Sequence, residues 1–298
     1  MWMRPVGAGY AAKTMGVPVS DWRWGRPCAA LRPYVHGYIG YRMSGYRPGT
    51  HQGLPGRHLR LVVSFAAPVE IVRMPDPAQS PTTVPMMVGG LHASPATIAH
   101  HGEQAGVEVA LSPFGARHVL GVPAGALAST VADLAELLGS RAAHLPERLG
   151  AAAGWDERFA LLDRVLGEAL TTVPPAAPEV RHAWDRLVAA AGRIPVDDLA
   201  REVGWSRRHL AKRFRSEVGL APKTAGRVLR FERSARLLRG TPGTRDLAAV
   251  AYSCGYHDQP HLNRDWRALA GRSPTEWLAE EIPNVQDSSP ADPPGLGP

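Results

Sequence analysis

Two cysteines, Cys28 and Cys254, are all the thiol chemistry in a chain of 298 residues. So few, so far apart, supply neither a disulfide framework nor a four-ligand zinc site, and they suit a reducing compartment. Lysine is scarce as well: Lys13, Lys212 and Lys223 are the three, and arginine carries the rest of the positive charge. No stretch reaches the roughly 18 consecutive apolar residues a membrane helix needs, so no span is expected. The first thirty residues scatter Arg and Trp without a continuous apolar core. A signal peptide is therefore not expected, and residues 1–30 read as an extension without fixed structure. No glycine-rich loop follows a strand at phosphate-binding spacing, and Ser112, with Pro113 beside it, lacks the setting of a nucleophile. Seven histidines precede residue 120, but His100 and His101 are adjacent and point to opposite faces of a strand. No metal-ligand spacing emerges, so no metal, cofactor or catalytic residue is assigned. A cytoplasmic protein that is not an enzyme is the expectation.

What the chain does have is concentrated charge. Residues 180–282 hold 19 Lys or Arg against 12 Asp or Glu, whereas residues 1–179 hold 15 against 13. The formal net charge of +7 is thus carried by one segment. A basic domain beside a near-neutral one is the footprint of a phosphate-binding module joined to something else.

That segment repeats one pattern about fifty residues apart. Residues 198–206 (DLAREVGWS) lead to Leu210 and Phe214; residues 246–256 (DLAAVAYSCGY) lead to Leu262 and Trp266. Each reads as a short helix, a glycine turn and a second helix, the signature of a helix-turn-helix. In the first copy Asp197 or Asp198 suits the start of the leading helix, and Leu199, Ala200 and Val203 form its inner face. Gly204 permits the turn, and Ser206 is placed to cap the second helix. Leu210 and Phe214 face inward, so Arg207, Arg208, Ala211, Lys212 and Arg215 face outward. In the second copy Leu247, Ala248, Val250 and Ala251 are the inward set, Gly255 turns the chain and Asp258 caps. Gln259, Pro260, Asn263, Arg264 and Arg267 are then exposed. Arg and Lys suit guanine edges or phosphates, and Gln and Asn suit adenine.

Residues 34–120 are rich in Gly, Pro and short β-prone runs. Strands are expected over 58–65, 69–72 and 107–111, with Thr97–His100 as a hairpin partner of the last. Leu127, Val131, Leu134, Leu137 and Leu138 recur at helical spacing, as do Trp155, Phe159, Leu162, Val165, Leu166 and Leu170. Residues 171–179 contain three prolines and read as a linker. Helices are expected from 180 to 191 and from 222 to 238, and residues 283–298 read as a disordered tail. The fold class is α+β: an N-terminal β-rich sandwich or barrel with following helices (31–170), then an all-α tandem helix-turn-helix domain (180–282).

Residues 182–280 resemble the DNA-binding domain of AraC/XylS-type transcription regulators. The likeness rests on Leu199, Ala200, Gly204, Ser206, Leu210, Phe214, Gly219 and Pro222. It continues through Arg230, Arg233, Ala235, Ala251, Gly255, Tyr256, Gln259, Leu262, Arg264 and the GRSP run at 271–274. It implies seven helices, with two helix-turn-helix units joined by one long helix in a single chain. It also implies recognition helices in successive major grooves, about 34 Å apart. Carried over by position, DNA contacts fall on Arg207, Arg208, Ala211, Lys212, Gln259, Pro260, Asn263 and Arg264. Ala211 departs from the polar residue usual there, and Trp266 from the usual Phe. The N-terminal half is similar to regulatory domains of that family at 53–58 (GLPGRH), 88–91 (VGGL) and 111–117 (LSPFGAR), which implies a sensing or dimerising role. Arg57, His58 and Arg117 are the candidates to line a pocket for an anionic effector, or else are surface turn residues. The expected partners are double-stranded DNA, a small-molecule effector or a second copy, and RNA polymerase if the protein activates. The alternative is a β-domain enzyme that the helical part tethers to DNA.

Overall fold

A computed structural model of the chain describes residues 19–240 and 246–279; the expectations for residues 1–18 and for the 283–298 tail lie outside them. Nine strands come first: β1 (Val19–Gly25), β2 (Val35–Ser44), β3 (Gly49–Gly53), β4 (Leu59–Ser64), β5 (Val69–Arg73), β6 (Thr82–Val84), β7 (Met86–Gly89), β8 (Ala96–His100) and β9 (Gln104–Leu111). They are followed by α1 (Gly115–Leu120), a 3-10 turn (Ala124–Leu127), β10 (Val131–Asp133), α2 (Leu134–Leu138), α3 (Leu145–Ala151) and α4 (Trp155–Ala169). The strands form a six-stranded sheet in the order β1-β2-β9-β4-β7-β10 and a four-stranded sheet in the order β3-β8-β5-β6. Every pairing is antiparallel.

Alternation along β4 assigns the two faces of the larger sheet. Leu59, Leu61 and Val63 join one continuous apolar core with Phe159, Leu162 and Leu166 of α4. Val62 belongs with Ile71, Met87 and Ile98, between the sheets. That second interior also holds charge: Arg60 is ion-paired with Glu108, which is 1% exposed. A buried pair of this kind is tolerated only because each charge has its partner.

Several sequence expectations change here. Residues 19–25, expected within an unstructured extension, form β1, paired along its length with β2 from Val19↔Ser44 to Gly25↔Tyr38. Trp22 packs on Ile39 and Tyr41, and that burial fixes the strand despite its mixed composition. The segment Thr97–His100 is a strand but not the partner of 107–111. β8 pairs with β3 and β5, while β9 pairs with β2 and β4, so the connection crosses from one sheet to the other. The helical spacing from Leu127 to Leu138 yields a helix only over Leu134–Leu138. Val131 extends the larger sheet beside β7, and Asp133 caps the helix by accepting from the Ala135 N–H at 2.8 Å. Pairing and cap together outweigh the periodicity.

Seven helices complete the described chain: α5 (Pro178–Ala189), α6 (Val196–Glu202), α7 (Arg207–Val218), α8 (Pro222–Gly240), α9 (Leu247–Ser253), α10 (Gln259–Ala270) and α11 (Pro274–Ala279). The first two residues of α5 fall within the span read as linker.

Candidate nucleic-acid interface

The two helix pairs α6–α7 and α9–α10 are built alike. Gly204 (φ +70°) and Gly255 (φ +79°) hold the left-handed conformation that the turns require, one that side chains with a Cβ disfavour. Ser206 accepts from the His209 N–H at 3.2 Å and Asp258 from the His261 N–H at 2.7 Å, so both second helices are capped as expected. Gly219 and Gly271 close them in the left-handed conformation. The leading helices differ. Asp246 caps α9 through the Ala248 and Ala249 N–H groups, whereas α6 has Pro195 in the cap position and no side-chain cap. Asp197 and Asp198 sit in the first turn of α6 and pair with Arg207 and Arg201, each at 2.9 Å. They favour its positive end by charge, not as caps.

The inward faces are dry. Leu210, Phe214, Val218, Leu262 and Trp266 are all fully buried. Trp266 donates to the Ser234 hydroxyl of α8 at 2.9 Å and meets the Phe231 ring edge-on at 4.8 Å. The indole at a position where Phe is usual thus has its N–H satisfied, as a buried tryptophan needs. Of the expected inward set, Ala251 is buried and Leu247 and Val250 pack partly against the core, whereas Ala248 is exposed. A helix of seven residues presents only a narrow stripe to its neighbours.

The outward faces follow. Arg207, Arg208, Lys212 and Arg215 are exposed and Ala211 is half-buried. On α10, Pro260, Arg264 and Arg267 are exposed, and Gln259 and Asn263 are half-buried. The Asn263 amide oxygen is buried without a hydrogen-bond partner. Arg213 and His209 add to the exposed face of α7, and Tyr252 of α9 is 84% exposed. Sequence reasoning passed over Arg213 and His209 because their helical phase places them beside, not on, the face that was read; Tyr252 lies on α9, of which only the inward face was read.

Part of the basic excess serves the domain itself. Arg227 clamps Asp265 of α10 with Nε and Nη2 at 3.0 and 2.8 Å, and Asp265 is 5% exposed. Arg230 donates to the Gly192 carbonyl at 2.7 Å and lies over the Tyr256 ring. The first contact ties α10 to α8, and the second ties α8 to the α5–α6 connection and to the turn before α10. At the surface, Arg186 and then His182 hold the Glu202 carboxyl down to about 2.

The expected effector trio is dispersed. Arg57 pairs with Glu232 of α8 at 2.8 Å, and Arg117 makes a two-pronged pair with Glu217 of α7 at 3.0 and 2.9 Å. His58 stacks on His36 at 4.8 Å and lines a cavity of about 30 Å³ between the sheets, with Leu54, Arg60, His92 and Ile98. Neither Arg57 nor Arg117 lines it. Both arginines tie the β-rich half to the helical half. Beside Arg117, the 124–127 turn meets α7 so closely that a Cβ on Gly125 would lie 2.2 Å from the Ser216 carbonyl oxygen.

A family model described as a helix-turn-helix domain matches residues 199–280. A Streptomyces antibioticus protein named as an AraC-like transcription regulator is 32% identical over 142 residues, 47% of this chain and 41% of its own length. The HTH-type transcriptional regulator MtrA of Neisseria gonorrhoeae is 29% identical over 134 residues, 45% of this chain and 38% of its own. The chain thus spans about two fifths of the length of these curated relatives. Among solved structures, ToxT of Vibrio cholerae aligns over 81% of this chain and 97% of its own, at 11% identity and a TM-score of 0.48.

Proposed function

We propose that this chain is a sequence-specific transcription regulator of AraC type whose β-rich half controls its grip on promoter DNA, a reading supported by the helix-turn-helix match at residues 199–280 and by the likeness to regulators so named. The observation that carries the reading is the pair of capped, glycine-turned helix units on one long helix, each with a packed inner face and a polar outer face. Neutralisation of phosphates by Arg207, Arg208, Lys212 and Arg215 supplies most of the affinity and makes it salt-dependent. Gln259, Asn263, Arg264 and Arg267 on α10, together with Ala211 and Pro260, add choice of base. A small-molecule effector or self-association of the β-rich half is the input. The loop 53–58 supports this route, since it lines the cavity at Leu54 and His58 and reaches α8 through Arg57. RNA polymerase is a partner if the protein activates.

Selection of binding sites from random duplex DNA by the purified full chain tests the proposal. Two short preferred boxes about 10–10.5 base pairs apart are expected, one for each head. Enrichment of no sequence at all would defeat the reading.

A further inference from the structure

The larger sheet ends in β1, and no described strand lies on its outer side. Among the described residues that edge is free along seven positions, and a free edge is a template for another strand. Its residues are mixed, but Val19 and Trp24, 59% and 50% exposed, are two of the four large hydrophobic side chains most open to solvent among the described residues. From this edge we propose that two copies of the chain pair β1 against β1 in antiparallel fashion about a two-fold axis through Trp22. This deepens the self-association arm of the function proposed above.

The sequence of the strand, VSDWRWG, selects that register. A continuous sheet requires facing residues to point the same way, so the two-fold axis must pass through a residue of the strand. Centred on Asp21, the pairing sets carboxylate against carboxylate; centred on Arg23, it sets guanidinium against guanidinium. Centred on Trp22, it sets Asp21 against the partner copy's arginine on both sides of the axis. The flanking pairs then match large with small: Val19 opposite Gly25, and Trp24 opposite Ser20. Opposite charges and aromatic pairs facing across strands stabilise a sheet, and like charges there destabilise it. Within one copy Arg23 already reaches Asp21 at 2.8 Å with both half in solvent, so exchanging that contact for its intermolecular equivalent costs little.

Sedimentation equilibrium of the full chain tests this. The wild type is expected to dimerise. Asp21→Arg and Arg23→Asp each place like charges face to face across the dimer twice and are expected to weaken it about tenfold or more; Arg23→Asp is the cleaner of the two, since Arg23 faces Gly40 within its own chain whereas Asp21 faces Arg42. The double variant D21R/R23D restores opposite pairs and is expected to return the dimer, although Asp21 also accepts from the Trp155 indole N–H at 3.0 Å and that bond stays lost. A monomeric wild type would overturn the proposal. So would single variants that dimerise as well as wild type, or a double variant no better than the singles. Gel shifts on the same samples separate this outcome from the DNA-binding reading, which needs only one copy per site.

Discussion

The two halves of the molecule differ in where they gather their ionisable groups. The β-rich half carries some inside: Arg60 and Glu108 pair between the sheets, and His51, His58 and His92 are held uncharged chiefly by burial. The helical half displays them, with Arg207, Arg208, Lys212, Arg213 and Arg215 all exposed along one helix. Hidden charge makes an interior that is polar yet closed to water, suited to responding to what enters it. Displayed charge makes a surface suited to a polyanion. The seam between the halves mixes the two habits, for Glu217 and Glu232 of the helical side receive Arg117 and Arg57 of the other.

Acid should break this comparison most strongly. Burial, and next the neighbouring His100, holds His51 at about 4; burial, and next Arg60 against a hydrogen bond to Ser94, holds His92 at about 4, both below the ordinary 6.5. The unfolded chain binds more protons than the folded one below 6.5, so the β-rich half loses stability as pH falls from about 6.5 to about 4. Glu202 has its carboxyl held near 2 against an ordinary 4.5, so its contribution persists until pH drops below about 4.5. Hydrogen exchange between pH 6.5 and 4.5 should therefore open the strands before α5–α7; the reverse order would refute the contrast.

A packing change comes next. Trp266→Ala removes a fully buried indole and the bond it donates to Ser234, whose hydroxyl keeps its own donation to the Phe231 carbonyl, a loss of roughly 3–5 kcal/mol. Calorimetry should assign the lowered transition to the helical half, with protection of the DNA box read by α10 lost before that read by α7.

Contacts to DNA sharpen the contrast between the two heads. Arg208→Ala should weaken binding to all sequences by about 1–3 kcal/mol and reduce the salt slope by about 1. Arg264→Ala should cost about as much but relax base preference within its box. Identical salt and sequence profiles for the two variants would erase the distinction.

The smallest effect belongs to the seam. Glu217→Gln leaves Arg117 without its charge partner and should cost about 1–2 kcal/mol. Glu232→Gln, in a pair where that carboxylate is 19% rather than 7% exposed, should cost less. Exchange rates in α7 and α8 report the two, and equal effects would show that burial does not rank them.

The helical half was largely legible because its determinants are local. A cap, a left-handed glycine and apolar residues four apart lie within about twenty positions of one another, as in Ser206, Gly204, Leu210 and Phe214. The β-rich half was legible as strands but not as a topology. Nothing near Thr97–His100 tells that it pairs with Gly49–Gly53 rather than with the strand that follows it. The mixed residues of β1 gain their strand character from β2, and the apolar spacing around Val131 is overridden by pairing with β7. Arg57 and Arg117 looked like ligand groups because their partners, 175 and 100 positions away, leave no trace nearby.

The approach of Gly125 to Ser216 has a mechanical consequence. Where two main chains touch with no side chain between them, there is nothing to tilt, compress or swap rotamer. Such a joint is stiff, like a snap fastener, beside the longer and softer arginine tethers. Under the function proposed above, a signal from the β-rich half would reach α7 there as a change in attachment.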